Sequence, residues 1–203
     1  GFVGEEGPPG GAEAPGGYRW IVDPLDGTTN YAHGVPHFAV SLALERQGEI
    51  LVGAIFDPNR DECYMAVRGQ GATLNGRRLR TSGVVDLSEA IGAVGFPYNL
   101  RPDSPDLLVF NKAVFRCQSV RRTGCTSLNL AYLAAGRFDV YWAYGTHPWD
   151  VAAGVLLIRE AGGVVTAPDG GPFDLQKAQL LAAATDALHA QLRQMAAEAL
   201  AGR

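Results

Sequence analysis

The sequence predicts a mixed α/β fold, and three observations lead to that class. Residues 1–85 contain short apolar runs separated by turn residues, among them Asn75-Gly76, the dipeptide that a hairpin prefers. Residues 86–203 alternate short apolar runs with longer helical patterns, which indicates layers of strands and helices. The chain has 203 residues, 47% of them hydrophobic, so it is long enough to bury a core. We expect an antiparallel α+β half over residues 1–85 and an α/β half over residues 86–203.

The first half is predicted to be an antiparallel meander. Its strands are expected at residues 2–6, 20–22, 37–44, 50–56 and 62–67. Residues 7–17 are rich in Gly and Pro and are predicted to form a loop. Gln47-Gly48 and residues 57–60 supply turns between the later strands.

The second half is predicted to alternate strands with helices. Strands are expected at residues 90–96, 119–122, 138–142, 164–166 and 180–184, and helices at 106–115, 127–135, 148–161 and from 186 onward. Gly136 stands where a glycine often ends a helix, and Pro148 stands near the first position of the next one. In the last helix, Leu188, Leu192 and Met195 form one apolar stripe.

Composition excludes several classes of function. The formal net charge is -4, so there is no electrostatic case for nucleic-acid binding. No apolar run is long enough to span a bilayer. The three cysteines, Cys63, Cys117 and Cys125, form no metal-binding spacing, and their odd number suggests a reduced, cytoplasmic protein.

The stretch from Trp20 to Asn30 carries the clearest chemical signal. An apolar run leads into Asp23 and Asp26, and we expect residues 23–26 to form a tight turn around Pro24. Two carboxylates held close together repel each other unless a cation lies between them, and carboxylate oxygens suit magnesium, calcium or manganese. The backbone N–H groups of Gly27 and Thr28 follow, in a position to bind an anion. An ordinary turn is the alternative, since Asp-Pro and Asp-Gly are common turn dipeptides.

Two further acids stand where elements meet. Glu5 lies at the end of the first predicted strand, and Asp150 lies in the first turn of a predicted helix. Taken alone, Glu5 would be a solvated strand end and Asp150 an acid that favours the helix dipole.

Three motifs link these acids. They are Gly4-Glu5-Glu6, the run Asp23-Pro24-Leu25-Asp26-Gly27-Thr28, and Trp149-Asp150-Val151-Ala152-Ala153-Gly154. In this order they resemble the inositol monophosphatase family of magnesium-dependent, lithium-sensitive phosphatases, and the resemblance covers nearly the whole chain. It implies the layered αβαβα sandwich of the inositol monophosphatase and fructose-bisphosphatase type. It also implies a homodimer that acts on a small phosphorylated metabolite, while the absence of membrane and nucleic-acid partners is expected from the composition alone.

The resemblance assigns roles residue by residue. Glu5, Asp23 and the backbone carbonyl of Leu25 would bind the first metal, and Asp23, Asp26 and Asp150 the second. Glu5, which would also help to hold a weaker third ion, and Thr28 are the implied catalytic residues. Magnesium is the implied ion, with manganese as the alternative. Asp26 and the N–H groups of Gly27 and Thr28 would contact the substrate, Thr28 would orient the attacking water, and Gly124 and Thr126 would lie beside the alcohol.

The chemistry is consistent with these roles. Two ions about 4 Å apart can clamp the attacking and leaving oxygens of a phosphate ester and lower the pKa of a bound water. No Cys or Ser is placed as an evident nucleophile, and nothing predicts an activated thiolate at Cys125. We therefore expect direct hydrolysis by an activated water, without a covalent enzyme intermediate.

The sequence departs from the family pattern at two places. Family members carry a helical segment upstream of the Gly-Glu-Glu motif, with an acid that pairs with the threonine corresponding to Thr28. This sequence begins at Gly1, so we expect that helical part to be missing. Ala143 stands where inositol-specific members have a glutamate that contacts inositol hydroxyls, and its side chain cannot accept a hydrogen bond.

Several functions therefore stay open from the sequence. The first is a phosphomonoesterase for a small sugar or polyol phosphate such as inositol monophosphate. Histidinol-phosphatase, fructose-1,6-bisphosphatase and bisphosphate nucleotidase activities are alternatives within the same class. A non-catalytic homologue that keeps its metal site for stability or partner binding is the alternative from another class.

Overall fold

The computed structural model describes residues 1–6 and 16–201. Most of the predicted loop at residues 7–17 lies outside the described residues. Strands of the first sheet are β1 (Phe2–Gly4), β2 (Tyr18–Asp26), β3 (Ala39–Arg46), β4 (Glu49–Asp57), β5 (Glu62–Val67), β6 (Gly71–Leu74) and β7 (Arg77–Arg78). Strands of the second sheet are β8 (Ile91–Val94), β9 (Ser119–Arg121), β10 (Val140–Ala143), β11 (Val164–Thr166) and β12 (Leu180–Ala183). The helices are α1 (Thr28–Ala32), α2 (Pro105–Arg116), α3 (Thr126–Ala134), α4 (Pro148–Glu160) and α5 (Asp186–Leu200), with a 3-10 turn at Leu87–Glu89.

The first sheet is the predicted meander. Its seven strands follow chain order from β1 to β7, and every neighbouring pair is antiparallel except β1 and β2. The parallel register of β1 on β2 pairs Gly4 with Val22, so Glu5 comes next to Asp23. The register therefore brings the first predicted motif to the second.

The second sheet has the order β11-β12-β10-β8-β9. Strands β8, β9 and β10 are parallel, while β12 is antiparallel to β10 and β11. The carboxyl ends of parallel strands share one edge, where open α/β sheets bind their ligands. The loops that lead to Thr126 and Asp150 leave from this edge.

The described elements stack in the order sheet, helix pair, sheet, helix pair. One buried cluster joins the inner face of the first sheet to α3, α4 and one face of the second sheet, through residues such as Ile55, Leu130 and Tyr141. A second cluster joins the other face of the second sheet to α2 and α5, including Trp142 and Leu188. These are four of the five layers of an αβαβα sandwich, which confirms the predicted fold class.

The outer face of the first sheet carries exposed apolar side chains. Strand alternation buries Ile55 on the inner face and leaves its neighbour Phe56 38% exposed on the outer face. Phe2 pairs with Trp20 across this outer face, and both are more than two fifths exposed.

Two local predictions need correction. The expected tight turn at residues 23–26 is wrong, because β2 continues to Asp26 with an irregular register against β3 between Asp23 and Asp26. The short helix α1 was not predicted, since none of its residues is buried and it has no apolar periodicity to recognise. The division into residues 1–85 and 86–203 stays a prediction, because α3 and α4 of the second half pack against both sheets.

Candidate active site

An irregularity in β2 places two carboxylates on the same side of the first sheet. In a regular strand, residues three apart face opposite sides, so Asp23 and Asp26 would point apart. The shift in register between them changes that, and both side chains are buried on the side that also buries Ile21. Pro24 lies inside the irregularity, where a missing backbone N–H costs no ladder bond.

Asp23 is held by the irregular segment of β2 in which it lies. Its Oδ1 accepts a hydrogen bond from the Leu25 N–H at 2.9 Å. The Thr28 hydroxyl donates to the Leu25 carbonyl at 3.0 Å. The predicted metal-binding carbonyl, the predicted bridging carboxylate and the predicted water-orienting hydroxyl therefore lie within one short segment.

Asp26 connects the first sheet to α3. Its Oδ2 accepts the Ser127 N–H at 2.6 Å and the Cys125 thiol at 3.2 Å. The Asp26 carboxylate lies at the N-terminus of α3, where the helix dipole and the free N–H groups of the first turn stabilise a negative charge. Burial, with the Asp26 carboxylate as the next cause, raises the pKa of the Cys125 thiol well above its usual range, so this thiol is not an activated nucleophile, as the sequence indicated.

Asp150 is at the third position of α4, near the N-terminus that begins with Pro148. Its Oδ2 accepts the His147 N–H at 2.7 Å, so it does cap the helix. This bond uses one oxygen of the carboxylate. A capping role and a ligand role are therefore compatible, and the Ser41 hydroxyl fixes the same turn by donating to the Trp149 carbonyl at 3.3 Å.

The four predicted acids share one electrostatic environment. Burial, together with the carboxylates of Asp26, Glu5 and Asp150, raises the pKa of Asp23 to about 8, and the hydrogen bond from the Leu25 N–H opposes this rise. Burial, together with the carboxylates of Asp26 and Glu5, raises the pKa of Asp150 to about 7. Like charges that raise one another's pKa favour protonation or the arrival of a cation.

The acids do not form a closed ligand set by themselves. Within residues 1–6 and 16–201, no group of three or more His, Cys, Asp or Glu side chains has the spacing of a metal centre. Repulsion between carboxylates opposes such a gathering until positive charge is supplied.

The predicted substrate-binding residues come together around α1. Gly27, with φ of 94°, precedes α1, and Thr28 is its first residue. Asn30 donates through Nδ2 to the His37 carbonyl at 2.8 Å and to the Thr123 carbonyl at 2.9 Å. A Cβ on Gly124 would lie 3.0 Å from that same Nδ2. Asn30 thus joins the predicted phosphate-binding segment at Gly27 and Thr28 to the segment of Gly124 and Thr126, a role that the sequence did not reveal.

A surface cavity of about 320 Å³ lies elsewhere. It is lined by residues that include Arg68, Arg159 and Phe173, and by none of the predicted site residues. The acids, and not the cavity, therefore define the candidate site. No helix within the described residues is both long and apolar enough to cross a membrane.

The comparisons with known proteins agree with one another. A model of the inositol monophosphatase family matches residues 1–201. An inositol-1-monophosphatase of Rhizobium meliloti is 50% identical over 183 residues, which are 89% of this chain and 68% of that protein. A Nus factor SuhB of Pseudomonas aeruginosa is 46% identical over 197 residues, which are 94% of this chain and 72% of that protein.

The solved structures give the same answer for the fold. An inositol monophosphatase from Anabaena (Nostoc) sp. PCC 7120 superposes with a TM-score of 0.90 at 41% identity, covering 97% of this chain and 78% of that one. With the fold, the motif order and the family match in agreement, the chain belongs to the inositol monophosphatase family.

Proposed function

We propose that this chain is a magnesium-dependent phosphatase that hydrolyses the monoester of a small sugar or polyol, such as inositol monophosphate. Family membership supports phosphatase activity in general. The observation that carries the proposal is that burial and the nearby carboxylates of Glu5 and Asp26 raise the pKa of both Asp23 and Asp150. Four acids in this relation repel a phosphate ester unless cations offset their charge.

The donor set fits hard divalent cations. Glu5, Asp23 and the Leu25 carbonyl would hold one magnesium ion, and Asp23, Asp26 and Asp150 a second. A weaker third ion would lie near Glu5, and manganese could replace magnesium. All these donors are oxygens, which suits magnesium, and a bound cation would favour the ionised form of Asp23, whose pKa is raised by burial and by neighbouring carboxylates. When bound, such ions neutralise charge on the phosphate and lower the pKa of water.

The chain's own groups position the substrate. The N–H groups of Gly27 and Thr28 would receive the phosphate, and the bond from the Thr28 hydroxyl to the Leu25 carbonyl fixes that hydroxyl for orienting water. Gly124 and Thr126 would border the alcohol. No covalent intermediate is proposed, since the Cys125 thiol is buried and protonated.

Substrate preference follows from Ala143. This residue is fully buried at the end of β10 and offers no side-chain hydrogen bond to an alcohol. A site without that partner discriminates less between polyols. Histidinol-phosphatase, fructose-1,6-bisphosphatase and nucleotidase activities therefore remain alternatives to be measured.

The test is phosphate release from a panel of phosphorylated metabolites, with and without magnesium. We expect release only with magnesium, inhibition by lithium, and one solvent oxygen in each phosphate when the water is isotopically labelled. Trapping of a phosphoenzyme would contradict the direct mechanism. Absence of release from every ester would contradict the proposed function itself.

A second candidate function comes from the relatives that are named Nus factor SuhB. A Nus-factor role would be compatible with the same fold and would not require hydrolysis. If Asp23→Asn kept such a role while losing phosphate release, the two functions would be separable.

A further inference from the structure

The loop between β8 and α2, residues 95–104, shares an edge with the candidate site. Strands β8, β9 and β10 are parallel, so the loops that follow them leave from the same edge of the second sheet. The loop after β9 carries Gly124 and leads to Thr126, and the loop after β10 leads to Asp150. The loop after β8 contributes none of the residues that the proposed function uses.

Close contacts fix the base of this loop. A Cβ on Gly95 would lie 2.4 Å from the Tyr141 hydroxyl and 3.3 Å from Thr126 Oγ1. A Cβ on Gly145 would lie 2.9 Å from the Pro97 Cβ, so the loop also packs against the loop after β10. Only glycine fits at these two positions without a shift of its neighbours, and the loop is therefore packed against Tyr141 and Thr126 beside the proposed alcohol site.

Tyr98 follows directly and is 91% exposed. Its phenol is nevertheless close enough to the site to interact with the acids there. Partial desolvation raises the pKa of Tyr98, and so do the negative charges of four carboxylates, namely Glu5, Asp150, Asp26 and Asp23. An aromatic side chain at the mouth of an acidic site, with its base rigidly packed, offers a large contact area at small entropic cost.

We propose that Tyr98 is a specificity-determining residue whose ring contacts the alcohol portion of the bound phosphate ester. This inference rests on the proposed function. The favoured substrates are esters whose alcohol carries a ring, because a ring presents a face that can pack on an aromatic side chain. Tyr98 then supplies a contact to the alcohol at a site where Ala143 offers no side-chain hydrogen bond.

The test compares Tyr98→Ala and Tyr98→Phe with a matched control, Phe115→Ala. Phe115 is 90% exposed and lies near the end of α2, at the opposite edge of the sheet. For an inositol monophosphate, Tyr98→Ala should raise KM by about 3- to 10-fold with kcat within about 2-fold of the parent. For glycerol 2-phosphate, which has no ring, KM should stay within about 2-fold in every variant. Tyr98→Phe should keep most of the affinity for the ring ester.

Two results would overturn the role of Tyr98. One is an unchanged ratio of the two KM values in Tyr98→Ala, and the other is a Tyr98→Phe variant as impaired as Tyr98→Ala. Calorimetric binding of a non-hydrolysable phosphonate analogue of the ring ester tests the contact without turnover. The parent could release no phosphate and still bind the analogue more tightly than Tyr98→Ala does. That result would support the contact and reject only the proposed hydrolysis. Equal binding by parent and variant would reject the contact.

Discussion

At the residue scale, the site depends most on Asp23. It is 1% exposed, it lies in the irregular segment of β2, and it is the carboxylate on which the other three act. The hydrogen bond from the Leu25 N–H to the side chain of Asp23 needs only an acceptor oxygen, which an asparagine side chain also provides.

We therefore expect Asp23→Asn to fold and to lose activity. Phosphate release should fall at least about 100-fold, because the proposed bridging charge is gone, while the melting temperature should not decrease. Asp61→Asn is the control, since Asp61 is exposed and has a φ of 52° that asparagine tolerates. Near-parental turnover by Asp23→Asn would show that the site is wrongly assigned.

Asp106, in the first turn of α2, gives a prediction about pH. It is 1% exposed and accepts the Tyr144 N–H, and burial raises its pKa to about 6 from 3.8. A carboxyl whose pKa is higher in the folded than in the unfolded state favours folding when it is protonated. The contribution of Asp106 to the free energy of unfolding is therefore fully present below a pH of about 4 and is lost as the pH rises through about 6. The loss is on the order of 3 kcal/mol.

Asp106→Asn removes this titration and keeps an acceptor for Tyr144. The difference in unfolding free energy between variant and parent should grow in favour of the variant from pH 4 to pH 7, as measured by urea unfolding. A difference that is constant with pH would mean that Asp106 titrates normally.

At the scale of elements, the N-terminus of α4 combines a cap with a proposed ligand. Asp150→Asn should keep the bond to His147 and so remain within about 0.5 kcal/mol of the parent in stability. Asp150→Ala should be about 1 kcal/mol less stable than Asp150→Asn because the cap is lost. Both should be inactive. Chemical unfolding and phosphate release measure the two effects separately, and an active Asp150→Asn would leave Asp150 with the capping role alone.

Elements with a clear period could be predicted from the sequence. The stripe of Leu188, Leu192 and Met195 is fully buried in α5, and Gly136 ends α3 with a φ of 69°, as expected. The irregularity at residues 23–26 could not be predicted, because Pro and Gly favour a turn and a bulged strand alike. The contacts of Asp26 with Cys125 and Ser127 span about a hundred residues of sequence, and no local pattern records them.

The sequence predicted the acids of the site but not all of the residues that surround them. Motif order identified the acids, but the effect of their neighbours on the pKa of Asp23 and Asp150 depends on tertiary placement. Tyr98 left no signal, because a single exposed aromatic in a loop carries no period. Asn30 lay inside a motif, yet its two carbonyl partners were visible only in the fold.

At the scale of the whole molecule, glycines set the distance between layers. A Cβ on Gly53 of β4 would lie 2.9 Å from the Ala153 carbonyl oxygen of α4, and a Cβ on Gly154 of α4 would lie 2.4 Å from the Leu130 Cβ of α3. The first sheet, α4 and α3 thus approach each other through positions that have no room for a methyl group.

Gly154→Ala should cost about 1–3 kcal/mol of unfolding free energy, because overpacking outweighs the better helix propensity of alanine. Gly83→Ala is the matched control, since no atom lies within 4 Å of its added Cβ, and it should be neutral or slightly stabilising. Urea unfolding of both variants measures the difference, and equal stabilities would argue against such close packing of α3 on α4.

Magnesium binding measured by isothermal titration calorimetry at pH 7 tests the shared metal site most directly. We predict at least two magnesium ions per chain in the parent, with protons released because Asp23 and Asp150 must ionise. In Asp23→Asn, the binding should be lost. Equal binding by the parent and by Asp23→Asn, or no binding by either, would contradict a site built from Glu5, Asp23, Asp26 and Asp150.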